Sequence, residues 1–264
     1  MIMAVLFAGC GSSSESVHVD TTELRQRTAT VFSLQAALYG YYDAFQSLFE
    51  EHGQTYQSAC DGGGSVTYSF SESLLPATLS FDQCVVAVSE DNVTSVTKNG
   101  TLTFTQLEEY DGFSVAFSEG FSHSVAMASG ESIETLIAAP SLFRYYDDGI
   151  RENIISSYDL NLSCNALPFQ ATDIVTGIDY YEKAFTSSPH SGTFTMSTQE
   201  AFELSAFVIH NAVASMIALD ENGDIFLNEV LFKYRGKEYL LSIRSPNLFQ
   251  MQGTTLDVSA YLWR

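Results

Sequence analysis

The chain has 264 residues, enough for one large all-β domain or two small ones, with a sizeable buried core. Its 32 acidic residues against 11 basic ones give a formal charge of −21 at pH 7, which argues against electrostatic binding to nucleic acid or to an anionic bilayer face. Only 16% of the residues are charged, below the roughly 25% of an average soluble protein. Ser, Thr and aromatic residues abound instead, a mixture that favours strands over helices.

The chain opens with an apolar run, Val5, Leu6, Phe7, Ala8 and Gly9, that ends in Cys10 and continues into Gly11 and Ser12 to Ser14. This arrangement resembles the lipobox of a bacterial lipoprotein, where small residues precede a cysteine that is acylated as the segment ahead of it is removed. The resemblance implies a signal remnant over 1–9, a lipidated Cys10 with a flexible tether over 10–19, and a single domain over 20–264. It also implies a bacterial envelope location, at the outer membrane facing the periplasm or the surface, with the membrane as a partner through the lipid. Acyl chains supply membrane affinity at ~0.8 kcal/mol per buried methylene. No other run approaches the ~18 consecutive apolar residues of a membrane-spanning helix. No Lys or Arg precedes Arg25, so either the charged opening of an export signal lies upstream of Met1 or the match is a coincidence of composition.

One helix is expected over about 21–52. Asp20 and Glu23 have capping-box spacing, and Val31, Leu34, Leu38, Tyr41, Phe45 and Leu48 recur in steps of three and four. Gly53 stands where a helix stop belongs, and Gly40 marks a kink or a close neighbour. An aromatic stripe that includes Phe32, Tyr39, Tyr42, Phe45 and Phe49 either packs on a sheet or contacts an apolar ligand. Packing is the more economical reading.

From Ser65 onward the pattern turns to short alternating runs separated by Gly, Asp, Asn and Ser. Strands are expected at Val66 to Phe70, Thr78 to Phe81, around Leu102 to Phe104, Phe113 to Phe117, His123 to Ala128 and Leu142 to Tyr146. More follow at Ile154 to Leu162, Gly177 to Phe185, Gly192 to Met196, Ala212 to Leu219, Ile225 to Tyr234, Glu238 to Ile243 and Leu256 to Trp263. Ala201 to His210 fits either a strand or a short helix. Turns are read at Asn99-Gly100, Asp147 to Gly149, Asn222 to Asp224 and Arg235-Gly236. The expected fold is mainly β with one N-terminal α-helix, a curved antiparallel meander or partly open barrel packed on that helix. A faint echo links Leu79 to Cys84 and Gly100-Thr101 with Leu160 to Cys164 and Gly192-Thr193, which is either a duplicated unit or chance.

With Cys10 taken by lipid, Cys60, Cys84 and Cys164 remain. Cys60 and Cys84 lie at strand boundaries joined by an outward and a returning strand, so they are expected to pair. Such a link would stabilise the fold by roughly 3 kcal/mol, leaving Cys164 as a buried thiol. The Cys60-Asp61-Gly62-Gly63-Gly64 stretch, the Cys84-terminated strand and Asn99 to Phe104 together resemble uncharacterised β-rich envelope lipoproteins of bacteria. That resemblance covers about residues 20–110 and brings no activity with it.

Catalytic signatures are not found. The histidines His18, His52, His123, His190 and His210 show no zinc-protease spacing, and neither a Gly-x-Ser-x-Gly elbow nor a Walker loop occurs. Ser95 to Lys98 has the bare Ser-x-x-Lys spacing of penicillin-recognising enzymes, but it sits in turn-like sequence without their other motifs. Asp220, Asn222 and Asp224 resemble the start of a calcium loop, yet Gly223 falls early and Leu231 stands where the bidentate Glu belongs, so a hairpin tip is the better reading. No enzyme activity, cofactor or metal is expected. Two roles remain: a lipid-anchored binding or scaffold module that engages another envelope protein, or a carrier of a lipid or other apolar ligand inside the curved sheet. The first is preferred, because aromatics at alternating strand positions usually form core.

Overall fold

The computed structural model describes residues 19–89, 92–108, 112–147, 153–179, 184–185, 191–207, 218–219, 225–226, 229–245 and 247–263. A single long helix, α1 (Thr22–His52), precedes the strands. The first strands are β1 (Thr55–Ala59), β2 (Ser65–Ser71), β3 (Leu74–Ala87), β4 (Val93–Gln106), β5 (Gly112–Phe117) and β6 (Phe121–Met127). Then come β7 (Ser132–Asp147), β8 (Asn153–Cys164), β9 (Leu167–Asp179), β10 (Ala184–Phe185), β11 (Ser191–Thr195) and β12 (Ala201–Phe207). The last are β13 (Ala218–Leu219), β14 (Ile225–Phe226), β15 (Glu229–Tyr234), β16 (Lys237–Ser245), β17 (Leu248–Met251) and β18 (Thr254–Asp257), followed by a 3₁₀ turn at Ser259–Tyr261.

All but β13 and β14, which pair only with each other, belong to one sheet in which most strands pair with their neighbours in sequence, while β6 pairs with β4 and β7, β10 and β11 both pair with β9, and β12 pairs with β15. The sheet is antiparallel throughout and curls partway round α1 as an incomplete ring, with β1 and β18 as its ends. The expected mainly-β meander on an N-terminal helix is therefore what forms. β5 and β6 run one after the other along the same lane, between β4 on one side and β7 on the other. A turn at 118–120 separates them, anchored where Ser118 N donates to Thr101 O at 2.8 Å.

Alternation sets the faces. On β4, Val96, Lys98, Leu102 and Phe104 point inward and are buried, while Thr101 and Thr103 face outward. The Asn99-Gly100 turn is corrected: both residues lie inside β4. Gly100 sits where the β3 register shifts, at φ +115°, and a Cβ there would come within 2.8 Å of the Phe121 ring. Glycine is thus required by a bulge and a close approach, not by a hairpin. Gly192 plays the same part on β11 at φ +138°, beside a register shift against β9 and 2.8 Å from Ile174 Cα for a built Cβ.

Other boundaries differ for physical reasons. Ala201–Phe207 is strand, held between β11 and β15. The segment read as a final strand from Leu256 leaves the sheet after Asp257, whose carboxylate accepts the Ser259 N–H and starts the 3₁₀ turn. The capping box is not made. Thr21 is the N-cap, Asp20 Oδ1 accepts the Thr22 N–H at 2.9 Å, and Glu23 turns away to Ser197. Gly53 does end the helix, at φ +76°, with its N–H on Phe49 O. Gly40 faces open space, so it admits no close neighbour.

Cys60 and Cys84 form a disulfide with Cα atoms 5.4 Å apart, and Cys164 is free and buried. The loop after Cys60 lies along β3, where Gly62 N donates to Val85 O and Val85 N donates to Gly63 O. No helix among the described residues is long and apolar enough to cross a membrane.

Candidate functional site

The carrier reading would place an apolar ligand on the concave side of the sheet, and α1 occupies that side. In the first half of the helix residues of almost every direction are buried, including Leu24, Arg27, Thr28, Val31, Phe32, Leu34, Gln35 and Leu38. The enclosing sheet contacts it from several sides. Beyond Tyr39 only one face is covered, and Asp43, Gln46, Ser47 and Glu50 are exposed.

The five aromatic residues singled out along α1 all meet the sheet. Phe45 is fully buried, with its ring 4.6 Å from Phe104 and 5.4 Å from Phe70, both edge-on. Tyr42 stacks on Phe113 at 3.7 Å, and Phe49 meets Phe70 at 5.7 Å. Tyr39 lies 5.7 Å from Tyr145, and Phe32 lies 6.2 Å from Phe194 at the other end of the ring. Tyr42, Phe45 and Phe49 therefore share one aromatic layer, while Phe32 stands apart from it. Such ring pairs add ~0.5–1.5 kcal/mol each beyond their burial.

Polar groups fix the helix in place. Gln35 is fully buried, and its Nε2 donates to Ser156 Oγ at 3.1 Å and to Thr176 Oγ1 at 3.0 Å. Tyr158 donates to Gln35 Oε1 at 3.0 Å, and the Tyr145 hydroxyl donates to Gln35 O. Burial holds the phenols of Tyr145 and Tyr158 well above the usual tyrosine pKa, with neighbouring tyrosines adding to the shift at Tyr145. Arg25 Nη1 donates to Thr254 O at 2.9 Å, and burial lowers its pKa. Arg27 is 2% exposed and lies 3.6 Å from Glu23, while its Nε and Nη1 have no hydrogen-bond acceptor among the described residues.

The C-terminal residues cross the helix and close against β6. Thr30 Oγ1 donates to Tyr261 O at 2.9 Å, and Trp263 N donates to Ser33 Oγ at 2.7 Å. The Trp263 indole stacks on His123 at 4.2 Å. Directly across from His123 on β4 is Lys98, 7% exposed, whose Nζ donates to Tyr41 Oη at 2.7 Å. Lys98 also lies over the rings of Tyr41 and Phe81 at 5.4 and 5.5 Å. The Ser95 to Lys98 segment is strand rather than turn, which points Lys98 into this aromatic box. Sequence reasoning passed over Lys98 as a turn residue. Counting back in twos from Phe104 would have put it on the inward face.

An open hollow of about 580 Å³ lies at the rim, between the β11–β12 and β15–β16 turns, lined by Thr198, Gln199, Glu200, Ala201, Tyr234 and Arg235. Tyr234 donates to Glu200 Oε1 at 2.6 Å there, and that hydrogen bond raises its pKa. Among the described residues no three His, Cys, Asp or Glu side chains converge as metal ligands. Cys10 and the Asp220, Asn222 and Asp224 trio lie outside the described residues. Compared with protein families, with curated proteins and with solved structures, the chain gives no significant match.

Proposed function

We propose that the chain is a lipid-anchored binding or scaffold module of the bacterial cell envelope, tethered through Cys10 and engaging another envelope protein through the edges or loops of its sheet. One observation carries the choice between the two roles: α1 fills the concave face. Phe32, Tyr39, Tyr42, Phe45 and Phe49 meet the sheet, so the interior stripe that an apolar ligand would need is already in use. Ligand-holding barrels keep that space open. We assign the chain no reaction.

The test is acylation and fractionation of the full chain in a bacterial host. Radiolabelled palmitate should enter the wild type and not Cys10→Ser, and the variant should leave the membrane fraction. Labelling that persists in Cys10→Ser removes the anchor. A stoichiometric fatty acid recovered from the folded interior would favour the carrier role instead.

A further inference from the structure

β1 ends the sheet, and among the described residues no strand pairs with its outer flank. Phe70 N donates to Gln54 O and Cys60 N donates to Gly64 O, so the even-numbered residues of this hairpin face β2 with their backbone groups. By antiparallel alternation, the N–H and C=O groups of Thr55, Gln57 and Ala59 point to the free edge, where Ser58 Oγ reaches Ala59 O at 3.3 Å. Thr55, Gln57 and Ala59 are exposed.

Natural edges are commonly guarded by lysine, proline, a bulge or a covering element. β1 reads Thr-Tyr-Gln-Ser-Ala and pairs with β2 over five residues without a register shift, so it carries none of the first three. It is also held rigid. The Cys60–Cys84 disulfide and the Gly62 and Gly63 bonds to Val85 tie the hairpin to β3, and Tyr56 stacks on His52 of α1 at 3.9 Å.

Charge indicates what would fit. Between Arg27 and Lys98 the sequence holds no Lys or Arg, but it holds Asp43, Glu50, Glu51, Asp61, Glu72, Asp82, Glu90 and Asp91. Glu50 and Glu51 are exposed at the end of α1, next to His52 and β1. Past Tyr39 the helix is covered on one face only, so a strand added at β1 would carry the ring further round it.

We infer that the β1 edge is a strand-addition site for an extended, basic segment of another protein. This names the partner class within the binding-module reading and rests on it. Main-chain bonds to Thr55, Gln57 and Ala59 give affinity, and lysine or arginine at alternate positions answers the acidic flank.

The probe is a synthetic peptide of alternating lysine and valine, added to the purified full chain and followed by fluorescence anisotropy and amide hydrogen exchange. Binding should slow exchange at Thr55, Gln57 and Ala59. Methylating alternate peptide amides, with charge unchanged, should weaken binding at least tenfold. Gln57→Pro should do the same, because it deletes an N–H that the β1–β2 ladder does not use. Equal binding of the methylated peptide means adsorption by charge alone and overturns the site. Equal binding of a glutamate–valine peptide overturns the basic partner, and protection of Thr254–Asp257 instead places the addition at β18. Protection of Thr55, Gln57 and Ala59 in a self-associating chain without peptide makes a second copy the occupant and also overturns it. The peptide assay does not involve acylation, so its failure leaves the Cys10 anchor standing, and loss of the anchor leaves the edge result intact.

Discussion

Replacing Gln35 by leucine probes the contact that sets the helix against β7, β8 and β9. The side chain is fully buried and joins three hydroxyls, those of Ser156, Thr176 and Tyr158. Leucine keeps most of the volume but leaves those hydroxyls without their partner, and each orphaned group costs about 1–3 kcal/mol. The gain from burying a leucine, about 1.5–3 kcal/mol, offsets part of that. Gln35→Leu should therefore lower stability by roughly 2–4 kcal/mol. Adding Ser156→Ala and Thr176→Val removes two of the orphans, so the triple variant should recover at least ~1 kcal/mol relative to the single one. Urea unfolding followed by Trp263, the sole tryptophan, and by far-UV circular dichroism reads both numbers. A single-variant loss under ~1 kcal/mol, or a triple variant less stable than the single, would show that the network does not hold the helix.

Three further outcomes follow. Phe45→Ala should cost about 3–5 kcal/mol in the same unfolding assay, because the ring is fully buried among Phe70, Phe104 and Tyr68; a loss below ~1 kcal/mol would contradict a core role. Replacing both Cys60 and Cys84 by serine should lower stability by about 3 kcal/mol under oxidising conditions, and reductant should then have no further effect on the variant. In alkali, Tyr145, Tyr158 and Tyr68, the last pushed up to about 12 mainly by burial, keep their protons while an unfolded chain ionises near pH 10. Folded-state pKa values above the unfolded value give stability that is complete below pH 10 and lost above it, by up to ~1.4 kcal/mol per pH unit and tyrosine. Phenolate absorbance at 295 nm from Tyr145 and Tyr158 should appear only with unfolding, and full ionisation of all three near pH 10 in a folded chain would refute their burial.

What the sequence disclosed followed local periodicity. Steps of three and four through Val31, Leu34, Leu38, Tyr41 and Phe45 gave the helix, and alternation around Leu102 and Phe104 gave the strand face. Cys60 and Cys84 were readable as a pair because an outward and a returning strand separate them. Residues that serve distant neighbours were not readable. Gln35 looks like an ordinary polar helix position, and only the enclosure of α1 by three strands from elsewhere in the chain makes it a buried junction. Glu23 left its capping role because Ser197, 174 positions away, offers both an N–H and a hydroxyl. Gly100 imitated a hairpin turn because bulges and hairpins both demand a residue free to adopt positive φ. Trp263 ends a run that alternates like a strand, yet its backbone bonds to Ser33 and its ring covers His123.

Native mass spectrometry of the full chain, extracted from bacterial membranes in mild detergent, weighs the anchor and the filled interior in one spectrum. A chain acylated at Cys10 that retains no second, non-covalent amphiphile is the predicted result. An unmodified cysteine, or one stoichiometric lipid held without a covalent bond, would contradict it.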